Sequence, residues 1–134
     1  NVNYCYDRVT DDFLRTMQNT FGVHVCPSEA EGFGHYINEG LSCKAIVIAT
    51  NGLPMNELVT PERGVLCEFN RDEPIRLSRR YVINEDNLEK AVVKTLVLGE
   101  HERLEMREKA RAFYESNDAF FRKRLVDAVA ATLA

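Results

Sequence analysis

Two hydrophobic rhythms divide the chain. In its first half, short apolar runs alternate with helical patterns. The runs are "VNYC" (2–5), "VHVC" (23–26), "AIVIA" (45–49) and "GVLCEF" (64–69). Each reads as a β-strand, and the unbroken "AIVIA" is the kind buried on both faces of a parallel sheet. Helical stretches lie between them. Thr10 reads as a helix cap, with Asp11 and Asp12 in the first turn, where negative charge suits a helix N-terminus. Phe13, Leu14, Met17 and Phe21 recur at helical spacing and predict one apolar face. A second helix is predicted over 35–43, and a short helical turn over 54–59, with Pro54 tolerated in its first turn. Strand and helix alternating in this way is the signature of a parallel α/β sheet.

Residues 70–83 ("NRDEPIRLSRRYVI") break the rhythm. They carry Arg71, Arg76, Arg79 and Arg80 and predict a solvated charged loop, with phosphate or partner contact as the sharper reading. From Asn84, a good N-cap, the pattern is helical throughout. Leu88, Ala91, Val92, Thr95 and Leu96 form one stripe, which Gly99 stops. Met106, Ala110, Phe113 and Tyr114 mark a second helix, and Phe121, Leu125, Ala128 and Thr132 a third. These stripes read as core-facing. The chain thus divides into a β/α half (1–69), a charged loop (70–83) and C-terminal helices (84–134).

Composition narrows the class. At 134 residues the chain is one domain or part of one, long enough to bury roughly two thirds of its unfolded surface. The net charge of -4 argues against a nucleic-acid partner. No apolar run approaches the ~20 residues of a membrane span, and no signal peptide is visible. A first residue other than Met reads as a processed, tagged or excised piece. Cys5, Cys26, Cys43 and Cys67 have no metal or redox spacing. Most lie in strand-like runs, where buried free thiols are common. A reducing, cytoplasmic setting is expected.

The candidate chemistry lies in "EAEGFGHYINEG" (29–40). This stretch follows the "VHVC" strand and opens the next helix, the place where open parallel sheets bind ligands. A helix N-terminus offers free N–H groups and partial positive charge to a phosphate. Gly32 and Gly34 let the backbone approach closely. His35 stands at the helix start and could contact a phosphate or a carbonyl. His35, Glu39 and Ser42 share one helical stripe, while Ile37 and Leu41 face the sheet. Glu39 lies about one turn (~5 Å) from the phosphate position, where a ribose would lie. A carboxylate suits two adjacent hydroxyls. Glu31 lies on the other side of the turn, where an attached sugar would sit. The plainer reading is a strand that turns into a helix, with both glutamates solvated.

"CPSEAEGFGHYINEGLSCKAIVIATNGLPMNELV" resembles the donor-binding segment of retaining GT-B glycosyltransferases, specifically glycosyltransferase family 4. Pro27, Ser28, Glu31, Gly32, Phe33, Gly34, Glu39, Gly52 and Glu57 match that family's pattern. "RGVLCEF" and "MREKARAFYES" look like its last strand and late helices. The resemblance implies an α/β, Rossmann-like parallel sheet, part of a GT-B C-terminal domain, with 1–69 as the nucleotide-sugar-binding half. It implies that Glu31 contacts the donor sugar and is the catalytic candidate. Backbone amides of Phe33, Gly34 and His35 would meet the diphosphate, with Gly32 giving close approach. Glu39 would hold the ribose, and Asn51, Gly52 and Leu53 would lie near sugar or phosphate. Front-face attack with retention needs no protein nucleophile, and the motif calls for no metal or cofactor. The partners implied are a nucleotide-sugar donor and a sugar or other hydroxyl acceptor.

The sequence also departs from the family. Gly40 and Lys44 stand where Ala and Gly are usual, and the double glycine near "NGLPMNE" is a single Gly52. The family's acceptor domain, its first donor-domain strands and its upstream Arg and Lys have no counterpart here. The match corresponds to about the last third of such an enzyme, so these 134 residues alone are expected to be inactive. In the strand order 3-2-1-4-5-6, the missing strands would leave "VHVC" as a bare edge. One of three outcomes is expected: "VNYC" closes onto it, another copy supplies strands, or copies pair edge to edge. The alternatives to a transferase are a non-catalytic nucleotide-sugar-binding or association module and, disfavoured by the Glu-Gly-Phe-Gly turn, a sugar-nucleotide epimerase.

Overall fold

The computed structural model describes residues 3–133. Its elements run α1 (Asp11–Thr20), β1 (Val23–Cys26), α2 (His35–Ser42), β2 (Ile46–Thr50), α3 (Met55–Leu58), β3 (Gly64–Cys67), β4 (Arg71–Ile75), β5 (Ser78–Val82), α4 (Glu85–Leu96) and α5 (Glu100–Leu133). β1, β2 and β3 form a parallel sheet in that order, with Val23 opposite Ile46 and Val47 opposite Gly64. All five residues of β2 are buried. Alternation sends its side chains to two cores. Val47 and Ala49 pack with Ile37, Leu41, Met55 and Ala110 on one face. Ile46 and Ile48 pack with Val65, Cys67 and Ala91 on the other. The continuous apolar run is therefore a consequence of two-sided burial. The predicted α/β fold, with a parallel sheet and a helical C-terminal segment, is the one observed.

The sheet has three described strands, not four. Asn3, Tyr4 and Cys5 lie outside any strand and are exposed, and Val2 falls outside the described residues. Tyr4 and Tyr6 stack on each other at 5.8 Å instead of covering the sheet. The described part of "VNYC", residues 3–5, therefore does not close onto β1. α4 packs chiefly against β3 and β2, and Val23 is 39% and Val25 49% exposed.

Residues 70–83 are an antiparallel hairpin, which corrects the loop expected there. β4 and β5 pair from Arg71–Val82 to Ile75–Ser78 around a two-residue turn, where Arg76 takes a left-handed φ of 51°. The high charge disguised the pairing. Asp72 pairs with Arg79, and Glu73 lies 3.5 Å from Arg80, so opposite charges meet across the strands. Tyr81 anchors the hairpin. It is buried, packs on Phe69 at 5.1 Å, and donates its N–H to Glu29 O at 2.7 Å.

The two helices expected beyond Gly99 are one. α5 runs for 34 residues without Gly or Pro, and Glu102 accepts the Gly99 N–H at 2.8 Å before its first turn. Glu105–Lys109, Arg111–Glu115 and Asp118–Arg122 pairs, each at 2.7 Å, carry it through the expected break. Ala110 is buried against the core, as predicted. Phe121, Leu125, Ala128 and Thr132 are exposed and do not face a core. The caps at Thr10 and Asn84 are present: their side chains accept the N–H groups of Phe13 (3.3 Å) and Asn87 (3.0 Å). The apolar stripe of α1 exists, but no residue of α1 is buried.

Candidate functional site

The site grows from the carboxyl end of β1. Residues 27–34 leave Cys26 and turn into α2. Thr50 Oγ1, at the end of β2, donates to Ser28 O at 2.6 Å and fixes this loop to the sheet. Ser28 Oγ lies 2.9 Å from Ala30 O and 3.1 Å from Glu31 Oε1, so it reaches both. Glu31 is half-buried. Burial pushes the Tyr36 phenol up to about 12, with hydrogen bonding to Ser28 and Glu31 acting on it in opposite directions. Burial also pushes the Cys26 thiol up to about 12, and the charges of Glu31 and Glu39 add to the rise. Both acids therefore act on the same strand end.

Gly34 caps α2 in a left-handed conformation (φ 72°, ψ 52°) with no side-chain cap. The left-handed φ favours glycine there, and a Cβ would lie 2.8 Å from Leu58 Cδ1, so that side-chain tip would have to shift. Gly32 has open space around it. The residue that sequence reasoning missed is Asn38. It is buried in α2, and its Nδ2 donates to Phe33 O (3.3 Å) and Gly34 O (3.0 Å). A planar trans peptide points its N–H opposite its C=O. With both carbonyls turned toward Asn38, the N–H groups of Gly34 and His35 point away from the helix. Among the described residues, neither has a hydrogen-bond partner. The available signal was a lone Asn on the sheet-facing side of an apolar helix, four residues beyond a Gly-x-Gly turn.

A groove of about 470 Å³ lies between this turn and α5. Phe33, His35, Glu39 and Ser42 line one wall, and Tyr114, Phe121 and Arg124 line the other. The Phe33 and His35 rings sit 4.9 Å apart at its mouth. Glu39 is exposed, and its Oε2 accepts from Gln18 Nε2 at 2.6 Å. The predicted stripe of His35, Glu39 and Ser42 thus faces one space, while Ile37 and Leu41 are fully buried.

Glu31, Asn51, Gly52 and Leu53 lie outside that groove's walls. Asn51 Nδ2 donates to Glu68 Oε1 at 2.9 Å, and its Oδ1 accepts from Asn56 Nδ2 at 3.2 Å. Gly52 is buried beneath the Tyr81 ring, and Leu53 is exposed. Cys26 and Cys67 are buried free thiols; Cys5 is exposed, against the expectation for its run. Among the described residues, no group of three or more His, Cys, Asp or Glu is placed to hold a metal ion. No helix there is long and apolar enough to cross a membrane.

The family model described as Glycosyl transferases group 1 matches residues 5–113. The chain belongs to this family. No curated protein matches the chain. The match runs through the sheet, the 27–34 turn, α2, the hairpin and the packed half of α5. As a group 1 glycosyltransferase domain of GT-B type, it serves glycosyl transfer, which implies a sugar donor and an acceptor. Positions 40 and 44 are each shaped by their local surroundings. Lys44 has φ 57°, the conformation that suits a glycine, and is held there by Glu108 on Nζ (2.7 Å) and by Arg107 Nε on its carbonyl (2.6 Å). Gly40 leaves room for His24: a Cβ would lie 3.0 Å from His24 Nδ1.

Proposed function

We propose that this domain binds a nucleoside-diphosphate sugar and serves retaining transfer of its hexosyl group to an acceptor hydroxyl, as in glycosyltransferase family 4. The observation that carries the reading is the pair of outward N–H groups at Gly34 and His35, with Glu39 one turn further along the same helix. Two aligned amides at a helix N-terminus suit a diphosphate, and a carboxylate at that distance suits ribose hydroxyls.

Each residue then has a task. The Phe33, Gly34 and His35 amides meet the diphosphate, and Gly32 leaves the approach open. Glu39 holds the ribose. Glu31, kept in place by Ser28, contacts hydroxyls of the transferred sugar. Asn51, Gly52 and Leu53 border the sugar side. In front-face transfer the acceptor oxygen attacks as the diphosphate leaves, and no protein atom bonds to the sugar. The protein's work is positioning and stabilising the departing charge. The reading calls for no cofactor or metal. It places the protein in the cytoplasm, with residues 1–134 alone inactive for want of an opposing domain to exclude water. The terminal place of β1 in the described sheet and the exposure of Val23 and Val25 support self-association through that strand, which light scattering measures.

The test has two parts. A thermal-shift screen of UDP-, GDP- and ADP-sugars identifies the donor. Glu39→Ala should then weaken nucleotide binding by ~1–3 kcal/mol, and Glu31→Ala should lower turnover more than affinity. Wild-type-like behaviour of both variants in the active protein overturns the assignment.

A further inference from the structure

One hydrogen bond ties the candidate ribose carboxylate to a helix outside the family motif. Gln18 Nε2, on α1, donates to Glu39 Oε2 at 2.6 Å. Burial in α1 is otherwise inverted. Phe13, Leu14 and Met17 are all exposed, and Gln18 is the one residue of α1 that is not. A helix held by apolar packing would show the opposite pattern.

Gln18 is also held from behind. His24 Nε2, on β1, lies 3.1 Å from Gln18 O and 3.1 Å from Phe21 O. Both partners are carbonyls, so Nε2 carries the proton and donates. The ring fits beneath α2 because position 40 is glycine; a Cβ would stand 2.8 Å from Val47 Cγ2 and 3.0 Å from His24 Nδ1. Gly40 therefore makes room for the histidine that fixes the end of α1, and α1 brings Gln18 to Glu39.

We infer that Gln18 is a positioning residue for Glu39, orienting its carboxylate toward the nucleotide, with His24 and Gly40 setting Gln18 in place. The inference rests on the ribose role proposed for Glu39. One Gln18 N–H occupies one lone pair of Oε2, which leaves Oε1 and the rest of Oε2 for two hydroxyls. A carboxylate already held loses less side-chain freedom when the ligand arrives.

The experiment is a double-mutant cycle on nucleotide affinity, titrating UDP, GDP and ADP into the full chain by calorimetry. Gln18→Leu keeps the size but removes the donor, and should weaken the best-bound nucleotide by about three- to tenfold. Gln18→Lys restores a donor and should bind within about twofold of wild type. In a Glu39→Ala background, Gln18→Leu should have no further effect. If Glu39→Ala weakens binding but Gln18→Leu does not, positioning is overturned and the ribose reading stands. Equal losses for Gln18→Leu and Gln18→Lys, or an undiminished loss in the Glu39→Ala background, also overturn it. If Glu39→Ala itself leaves affinity unchanged, the ribose reading falls, and the positioning role falls with it.

Discussion

Gly52→Ala separates two reasons for a glycine at the end of β2. One is that a ligand approaches the backbone there. The other is that the hairpin does. A Cβ built at Gly52 lies 2.4 Å from Cδ2, 2.5 Å from Cγ and 2.6 Å from Cε2 of Tyr81. The ring must retreat by about 1 Å to reach an ordinary carbon–carbon contact. It has little freedom to do so. Tyr81 is 7% exposed, packs on Phe69, is bonded through its N–H to Glu29, and sits opposite Asp72 in the hairpin register. Overpacking of this kind costs ~1–3 kcal/mol. With a urea slope of ~1–3 kcal/mol per molar, the midpoint should fall by roughly 1 M. The cost should vanish in a Tyr81→Ala background, where the ring that clashes is gone. An unchanged midpoint for Gly52→Ala, or the same cost with and without the Tyr81 ring, refutes the packing argument.

Three further outcomes follow from the same geometry. Lys44→Gly relieves a left-handed backbone that costs ~1–2 kcal/mol, less ~0.4–1 kcal/mol of added unfolded-state freedom; it should be more stable to urea than Lys44→Ala, which loses the same Glu108 pair and keeps the strain. Iodoacetamide should label Cys5 first, Cys43 later, and Cys26 and Cys67 only on unfolding, as mass spectrometry of timed digests would read. The Cys26 thiol ionises near 9.0 when unfolded and near 12 when folded, so the stability it contributes is full below pH 9 and is lost as pH rises toward 12. The loss is about 1.4 kcal/mol per pH unit for the retained proton, and Cys26→Ala should flatten that part of a urea-midpoint profile.

The parallel sheet and its helices were legible because burial writes a period into the sequence. "AIVIA" is apolar at every position because β2 is covered on both faces, and Ile37 and Leu41 repeat at four because only one side of α2 meets the sheet. The hairpin was not legible. Its strands carry few apolar positions, and Asp72, Glu73, Arg79 and Arg80 hold each other across the ladder by charge, which looks like a solvated loop when read linearly. The apolar stripes of α1 and of residues 121–132 were visible, but a stripe says nothing about whether another element covers it. At the site, the turn and its two acids were readable from glycine and carboxylate spacing. Asn38, Gln18 and His24 were not, because each acts through side-chain hydrogen bonds that no periodicity records.

In the proposed function a diphosphate docks on the turn at the start of α2. The most direct measurement is a ¹H–¹⁵N chemical-shift titration of the chain with UDP, GDP and ADP in turn. At least one of them should move the Gly34 and His35 backbone amides most, followed by residues around Glu39, with Glu39→Ala weakening the titration without moving it elsewhere. Saturating shifts centred on another surface, or no response at Gly34 and His35 to any of the three, would contradict it.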